Sequence, residues 1–186
     1  MIFDSDPAIT LDEISKALVQ GLPMELKDPL ASNRLWTREV KHVLCEMGSK
    51  PGILVCCHGS ENGEWLLDIA WFGRERHEIL LAVESEWGRA GDIEDDFDKL
   101  MSIKAQCKLL LFNASIQDSP AIVKRLESAL SKYPYHIEGE EYMALNVTKD
   151  VALRYHFRVP SDGRLDSVSF REITPPLRWP WAPALP

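Results

Sequence analysis

The sequence lacks any long apolar run: nowhere do its 186 residues contain the roughly 18–20 consecutive apolar side chains that a membrane-spanning helix needs. The first residues, MIFDSDPAIT, also lack the basic stretch followed by an apolar one that marks a secretory signal peptide. Both absences predict a cytoplasmic protein that makes no contact with a membrane.

Cysteine is scarce as well, and its four positions show no paired spacing. Cys56 and Cys57 in the segment CCHGS have no second pair of soft ligands at zinc spacing elsewhere in the chain. We therefore expect reduced thiols in a cytosolic setting and no disulfide scaffold. The same segment lacks the G-x-S-x-G elbow of serine hydrolases, and the chain has neither a P-loop nor a dinucleotide-binding glycine fingerprint.

Basic charge is the third shortage, because 29 acidic residues outnumber 21 basic ones and give a net charge of −8. Binding to nucleic acid rests on basic surface, so DNA or RNA would need a local basic patch or a partner that supplies one. Arg74 and Arg76, at a predicted hairpin tip, and Arg89, after the following strand, are the candidates for phosphate contacts. The alternative is that these arginines serve only solubility.

The residues that are present predict an ordered globular fold, with 45% hydrophobic and 27% charged residues. Periodicity predicts two helices, three strands, a helix, a strand, a helix and further strands, in that order. A three-strand meander followed by a strand–helix crossover predicts an α/β fold with a central mixed β-sheet flanked by helices. We assign residues 1–31 to an N-terminal helix and loop, 32–150 to the core, and 151–186 to a C-terminal hairpin and tail, all within one globular domain.

The C-terminal segment PPLRWPWAPALP is rich in proline and tryptophan. Its prolines exclude a helix or a central strand, so we expect a tail that lies over the surface. Trp179 and Trp181 either cap a groove of the core or form a contact with a protein partner or a second copy of the chain.

Two glutamates, Glu84 and Glu86, end the apolar run HEILLAVESEWG. A turn centred near Arg76 would place Asp68, from the preceding strand, directly opposite Glu84, and alternation puts both glutamates on one face. Three converging carboxylates repel one another, and a divalent cation such as Mg²⁺ or Mn²⁺ would compensate that repulsion. The alternative is that the strand simply reaches solvent and that Asp68 binds the backbone.

This pattern resembles the PD-(D/E)xK nuclease superfamily. The resemblance rests on Asp68 in EWLLDIAWF, Glu84 and Glu86 in LLAVESEWG, Lys99 in DDFDKLMSIKAQ, and the short apolar strand KLLLF after that helix. It covers roughly residues 32–133, and the order of the elements carries more of it than the acids do. It implies a restriction-endonuclease-like sheet and a metal-dependent phosphodiester hydrolase.

The resemblance also implies roles for individual residues. Asp68 and Glu84 would be metal ligands, and Glu39 of the preceding helix would join them. Glu86 stands where most members have lysine, so it would be a further ligand or a proton acceptor. Lys99 could supply the missing positive charge, or it could be a solvated helix lysine. Some members carry glutamate at the lysine position, and others that have lost the lysine bind nucleic acid or protein without cutting.

Three functions therefore remain open. The first is a nuclease that depends on Mg²⁺ or Mn²⁺. The second is a catalytically inactive relative that serves as a protein- or nucleic-acid-binding assembly module. The third is a small α/β protein whose acidic surface masks a basic partner.

Overall fold

The computed structural model of the chain describes residues 10–23, 26, 32–57, 62–63, 65–73, 77–148, 151–160 and 169–179. Arg74 and Arg76, the two arginines expected at a hairpin tip, and Trp181 lie outside these residues. Within them, no helix combines the length and the apolarity that crossing a membrane requires.

Helices form where the sequence supplies an apolar face and a start signal. The first begins after Thr10, whose hydroxyl accepts the backbone N–H of Glu13 while the Glu13 carboxylate accepts the N–H of Thr10. Ser32 starts the second in a similar way, and Pro120 occupies the first turn of the fourth. The described helices are α1 (Leu11–Gly21), α2 (Asn33–Gly48), α3 (Ala90–Ser102) and α4 (Ser119–Lys132).

Within the described ranges, the strands form one sheet of seven in which every strand pairs with the strand next to it in sequence. They are β1 (Ile53–Cys57), β2 (Ile69–Gly73), β3 (Ile79–Glu86), β4 (Ala105–Phe112), β5 (Glu141–Val147), β6 (Val151–Arg158) and β7 (Ser169–Arg178). The pairs β1–β2 and β2–β3 are antiparallel, and the pairs β3–β4 and β4–β5 are parallel. β6 and β7 return antiparallel. The sheet is therefore mixed, and its two parallel connections are the helical crossovers α3 and α4.

Successive side chains of a strand point to opposite sides, so the sheet has two apolar faces. Helices cover both of them. Val83 and the other buried strand residues on its face of the sheet pack in a core with α1 and α2. Ala82 and the other buried strand residues on the opposite face pack in a second core with α3 and α4. The predicted α/β class, with a mixed sheet between helices, is confirmed at this level of description.

The described part of the C-terminal segment, residues 175–179, is a strand followed by a buried tryptophan and not the predicted surface tail. Pro175 and Pro176 belong to β7, which is an edge strand of the described sheet and so tolerates residues that cannot donate a backbone hydrogen bond. Trp179, which follows β7, is only 2% exposed, and its indole N–H donates to the carbonyl of Thr148 at 2.9 Å. Its ring packs 6.0 Å from that of Trp36 on α2. Trp179 therefore completes the core, the first of the two roles that the sequence left open.

The cysteines also depart from expectation. Cys45 of α2 and Cys57 of β1 are joined by a disulfide whose Cα atoms are 7.2 Å apart. The prediction that every thiol is reduced is wrong for this pair, because the packing of α2 on β1 brings together two cysteines whose separation of 12 residues suggested no motif. Cys56 and Cys107 are buried and form no disulfide.

Candidate carboxylate–lysine site

Asp68 and the two glutamates of β3 lie near one end of the sheet. The β2–β3 ladder pairs Ile69 with Val83, and continuing it by one residue brings Asp68 opposite Glu84. The irregularity of this ladder lies between Trp71 and Phe72, toward its other end, so it does not alter the alignment near the acids. The turn length and the alternation in the sequence were sufficient to predict this register.

Asp68 immediately precedes β2, and three contacts hold its carboxylate. Oδ2 accepts the backbone N–H of Ser85 at 2.9 Å and the Ser85 hydroxyl at 2.6 Å. Oδ1 lies 2.9 Å from Nζ of Lys41, on α2. The carboxylate is therefore bound to β3 and to the helix layer formed by α1 and α2.

Glu84 is 4% exposed and meets the other helix layer. Its Oε1 accepts a hydrogen bond from Nζ of Lys99 on α3 at 2.7 Å. The same ammonium donates to Asp96 at 2.9 Å, one helical turn earlier. Ile93, Phe97 and Leu100 face the core, which leaves Asp96 and Lys99 beside that face and within reach of the strand.

Burial and the neighbouring charges set the protonation of this pair. Burial raises the pKa of Glu84 to about 7, helped by the negative charges of Asp96 and Asp68 and opposed by Lys99. Partial burial acts to lower the pKa of Lys99, but its hydrogen bonds to Glu84 and Asp96 outweigh that effect and raise the pKa. Near neutral pH, a charged lysine therefore faces a carboxyl group that is close to its titration midpoint.

Three further predicted site residues are described, and each contacts a group outside this pair. The Glu86 carboxylate accepts the backbone N–H of Gly88, in the loop between β3 and α3. Glu39 forms an ion pair with its neighbour Arg38 on α2. Arg89 is exposed at the start of α3, where its backbone N–H donates to Asp92 at 3.2 Å. Asp68 and Glu84 are thus aligned across β2 and β3, but their carboxylates contact opposite helix layers, Asp68 through Lys41 of α2 and Glu84 through Lys99 of α3. The contact of Asp68 with the backbone of Ser85 is the alternative that the sequence left open.

Lys41 is the site residue that the sequence reasoning missed. Its side chain is 14% exposed, and it lies on α2 between Val40 and Leu44, two residues that are fully buried. Position 41 is one turn before Leu44, so it flanks the buried face of the helix. The sequence shows that spacing, so Lys41 could have been predicted as a site residue in place of Glu39.

The donor chemistry of Asp68 and Glu84 fits a hard divalent cation, since Mg²⁺ and Mn²⁺ prefer carboxylate oxygens. Lys41 and Lys99 now contact those oxygens, so the lysines and a cation would share the same ligands. Across the residues that the structure describes, no group of three or more His, Cys, Asp or Glu side chains is arranged to hold a metal ion.

A second buried polar cluster lies toward the opposite ends of the parallel strands. Lys108 of β4 is 1% exposed, and its ammonium donates to Glu140 at 2.8 Å and to the Tyr142 hydroxyl at 2.9 Å. The other Glu140 oxygen accepts the Tyr142 hydroxyl at 2.9 Å and lies 3.4 Å from Nδ1 of His136. Burial lowers the pKa of Lys108, against the effect of Glu140.

This second cluster binds β4, β5 and the segment before β5 to one another. This cluster was not predicted from the sequence, because Lys108 directly precedes the apolar run LLLF and looks like the first residue of a strand. Comparison of the chain with family models, with curated proteins and with solved structures gives no match.

Proposed function

We propose that the chain is a divalent-metal-dependent phosphodiester hydrolase of the PD-(D/E)xK type. The observation that carries the proposal is the alignment of Asp68 with Glu84 across β2 and β3, with the charged amine of Lys99 2.7 Å from Glu84. Carboxylates on adjacent strands and a lysine beside one of them are the kinds of group that metal-assisted phosphodiester hydrolysis uses.

The order of the elements is a second support. An acid before one strand, an E-x-E segment ending the next, a helix that carries a lysine and then a buried strand occur here as β2, β3, α3 and β4. β3 and β4 are parallel neighbours, so the helix that bears Lys99 crosses directly over the strand that bears Glu84. A restriction-endonuclease-like assignment of the sheet accords with this order.

Each residue has a task in this proposal. Asp68 and Glu84 would hold Mg²⁺ or Mn²⁺, which when bound supplies a Lewis acid and an acidified water. Ser85 fixes Asp68 through two hydrogen bonds, so that carboxylate is oriented before any ligand arrives. Lys99 would neutralise the charge of the phosphodiester. Glu86, at the end of the same strand, would accept a proton.

One observation favours a second candidate function. Both carboxylates already have a lysine partner, and the chain carries a net charge of −8. A site whose charges are satisfied internally suits a catalytically inactive relative that binds a protein or a nucleic acid. In this reading DNA, RNA, or a protein partner would bind without being cut.

Calorimetric titration of Mn²⁺ into the wild type and into Glu84→Gln, together with cleavage of single- and double-stranded DNA and RNA, tests the proposal. We expect saturable binding and cleavage that Glu84→Gln and Asp68→Asn each reduce at least about 100-fold. Glu46→Gln is the matched control, since Glu46 is an exposed acid of α2. Binding without cleavage of any substrate would favour the assembly module, and an absence of both would exclude the hydrolase.

A further inference from the structure

His136, in the buried cluster around Glu140, joins the end of α4 to the start of β5. Its side chain is 4% exposed, and its Nε2 lies 2.7 Å from the carbonyl oxygen of Leu130, in the last turn of α4. Its Nδ1 lies 3.4 Å from Oε2 of Glu140, the residue immediately before β5. The ring therefore bridges the segment of residues 133–140, which connects the helix to the strand.

The two acceptors determine which nitrogens of the ring carry protons. A carbonyl oxygen can only accept a hydrogen bond, so Nε2 of His136 is the donor to Leu130. In the neutral ring, Nδ1 is then an acceptor that faces the Glu140 carboxylate, and the two lone pairs repel each other. In the imidazolium, both nitrogens donate and both contacts are favourable. A stabilising contact with Glu140 therefore requires a second proton.

The surroundings favour placing that proton on His136 and not on Glu140. Lys108 donates to Oε1 of Glu140 at 2.8 Å, and the Tyr142 hydroxyl donates to Oε2 at 2.9 Å. Both hydrogen bonds favour the ionised carboxylate. The Leu130 carbonyl, at the C-terminal end of α4, also attracts a positive ring. Lys108 is thus the cation that Glu140 has in either state of the ring, and protonated His136 is a second one.

Other titratable groups surround this contact. The rings of Tyr133 and Tyr142 lie 5.2 and 6.1 Å from that of His136. Glu140 also lines a cleft of about 450 Å³ between the segment 133–140 and the first residues of β3 and β4. The charged and titratable side chains that line this cleft with Glu140 are His77, Glu78, Lys104 and Glu138. Since histidine is the side chain that ordinarily changes charge near neutral pH, His136 and His77 are the two groups to distinguish.

We propose that His136 is a pH-sensitive switch that controls the segment 133–140 and the cleft that this segment borders. With both ring nitrogens protonated, the ring binds α4 and Glu140 together and holds the segment in place. When the pH rises and Nδ1 loses its proton, the contact with Glu140 becomes repulsive, and the segment and its side of the cleft are released. This regulation is separate from the proposed hydrolase activity and does not depend on it.

The test combines two NMR measurements on the full chain between pH 5 and pH 8. The nitrogen and proton shifts of the imidazole rings report how many protons each histidine carries. The protection of backbone amides from hydrogen exchange reports the stability of the segment through Gly139 and Glu140. Their N–H groups donate to the carbonyls of Val159 and Ile137 at 3.2 and 3.1 Å.

We expect Nε2 of His136 to remain protonated throughout and Nδ1 to lose its proton as the pH rises. The protection of Gly139 and Glu140 should fall about tenfold over that same titration, because a hydrogen bond between charged groups is lost. In His136→Gln, whose side chain does not titrate, the protection of these two amides should not depend on pH.

Two control variants identify the responsible histidine. His77→Gln removes the other histidine of the cleft. His42→Gln removes an exposed histidine that lies 3.5 Å from Glu46, four residues later, and so matches the spacing of His136 and Glu140. Both variants should keep the pH dependence of the wild type.

Three outcomes would overturn the switch. The first is an Nδ1 of His136 that carries no proton even at pH 5. The second is protection of Gly139 and Glu140 that does not follow the titration of His136. The third is a pH dependence that persists in His136→Gln or disappears in His77→Gln. The first two are measured on the wild type, so they decide the matter even if His136→Gln does not fold.

Discussion

Glu84 makes the stability of the protein depend on pH in a direction that its burial determines. Its pKa of about 7 in the folded chain lies above the value of 4.5 for an unperturbed glutamate, so folding takes up a proton between these pH values. The free energy of unfolding, compared with that of Glu84→Gln, should therefore be highest and level at and below pH 4.5. It should fall by about 1–3 kcal/mol as the pH rises to 7 and stay level above that.

Urea denaturation of the wild type and of Glu84→Gln at pH 5 and pH 8 measures this difference directly. Glu46→Gln serves as the control, because it removes an exposed carboxylate. Parallel pH profiles for the wild type and Glu84→Gln would show that Glu84 is charged throughout and that its pair with Lys99 outweighs its burial.

The buried cluster around Lys108 should respond unequally to single and double substitutions. Lys108→Met leaves the Glu140 carboxylate, which is 4% exposed, without its cation, and we expect a loss of about 3–5 kcal/mol in the free energy of unfolding. Adding Glu140→Gln removes the unpaired charge and should restore part of that loss. Chemical denaturation of the two variants checks the order, and a double variant less stable than Lys108→Met would contradict it.

The position of a single residue could be predicted where local chain geometry determines it. Its contacts could not be predicted where the packing of helices on the sheet determines them. The alignment of Asp68 with Glu84 follows from the length of the turn and from the alternation of strand side chains, both of which can be determined from the sequence. The partners of these acids depend on how α2 and α3 lie on the sheet, so Lys41 was missed and Glu39 was preferred. The role of Lys108 depends on Glu140, 32 residues away.

At the scale of elements, the bond between Cys45 and Cys57 attaches α2 to β1. Under non-reducing denaturing conditions we expect a thiol reagent to count two free cysteines per chain, and four after reduction. The bond closes a loop and so lowers the conformational entropy of the unfolded chain. Reduction should therefore lower the free energy of unfolding by about 3 kcal/mol.

The matched variants are Cys45→Ala, whose stability should not change on reduction, and Cys56→Ala, whose stability should change as that of the wild type does. Four reactive thiols in the unreduced protein would show that the bond does not form in solution.

The elements themselves followed closely from the sequence where they have clear start and stop signals. Thr10 with Glu13, Ser32 and Pro120 lie at the starts of α1, α2 and α4, where such residues favour a helix N-terminus. The segment from Pro175 was misread, because the rule that excludes proline from central strands still allows it at an edge. Which strand forms the edge is a property of the whole sheet and is not visible in that segment.

At the scale of the whole molecule, β7 and Trp179 should be necessary for a stable fold. A chain that ends at residue 160 exposes the length of β6 that pairs with β7 and removes a tryptophan that is 2% exposed. We expect a loss of at least about 3–5 kcal/mol in the free energy of unfolding, together with a tendency to associate. Thermal melting and sedimentation measure these two effects.

A chain that ends after Trp179 is the control, since it retains every contact described for β7 and for the tryptophan. If the chain ending at residue 160 melts at the wild-type temperature as a monomer, the C-terminal strand is dispensable.

The sequential strand order has a consequence for how the protein is made. Each strand finds its partner beside it in the chain, so the sheet can grow in the order of synthesis, with no strand waiting for a distant one. The helix α1 is the exception, because it is made first but contacts β4, β5 and β7. In a nascent chain α1 can pack on α2 early, but its contacts with β5 and β7 form only after those strands have left the ribosome.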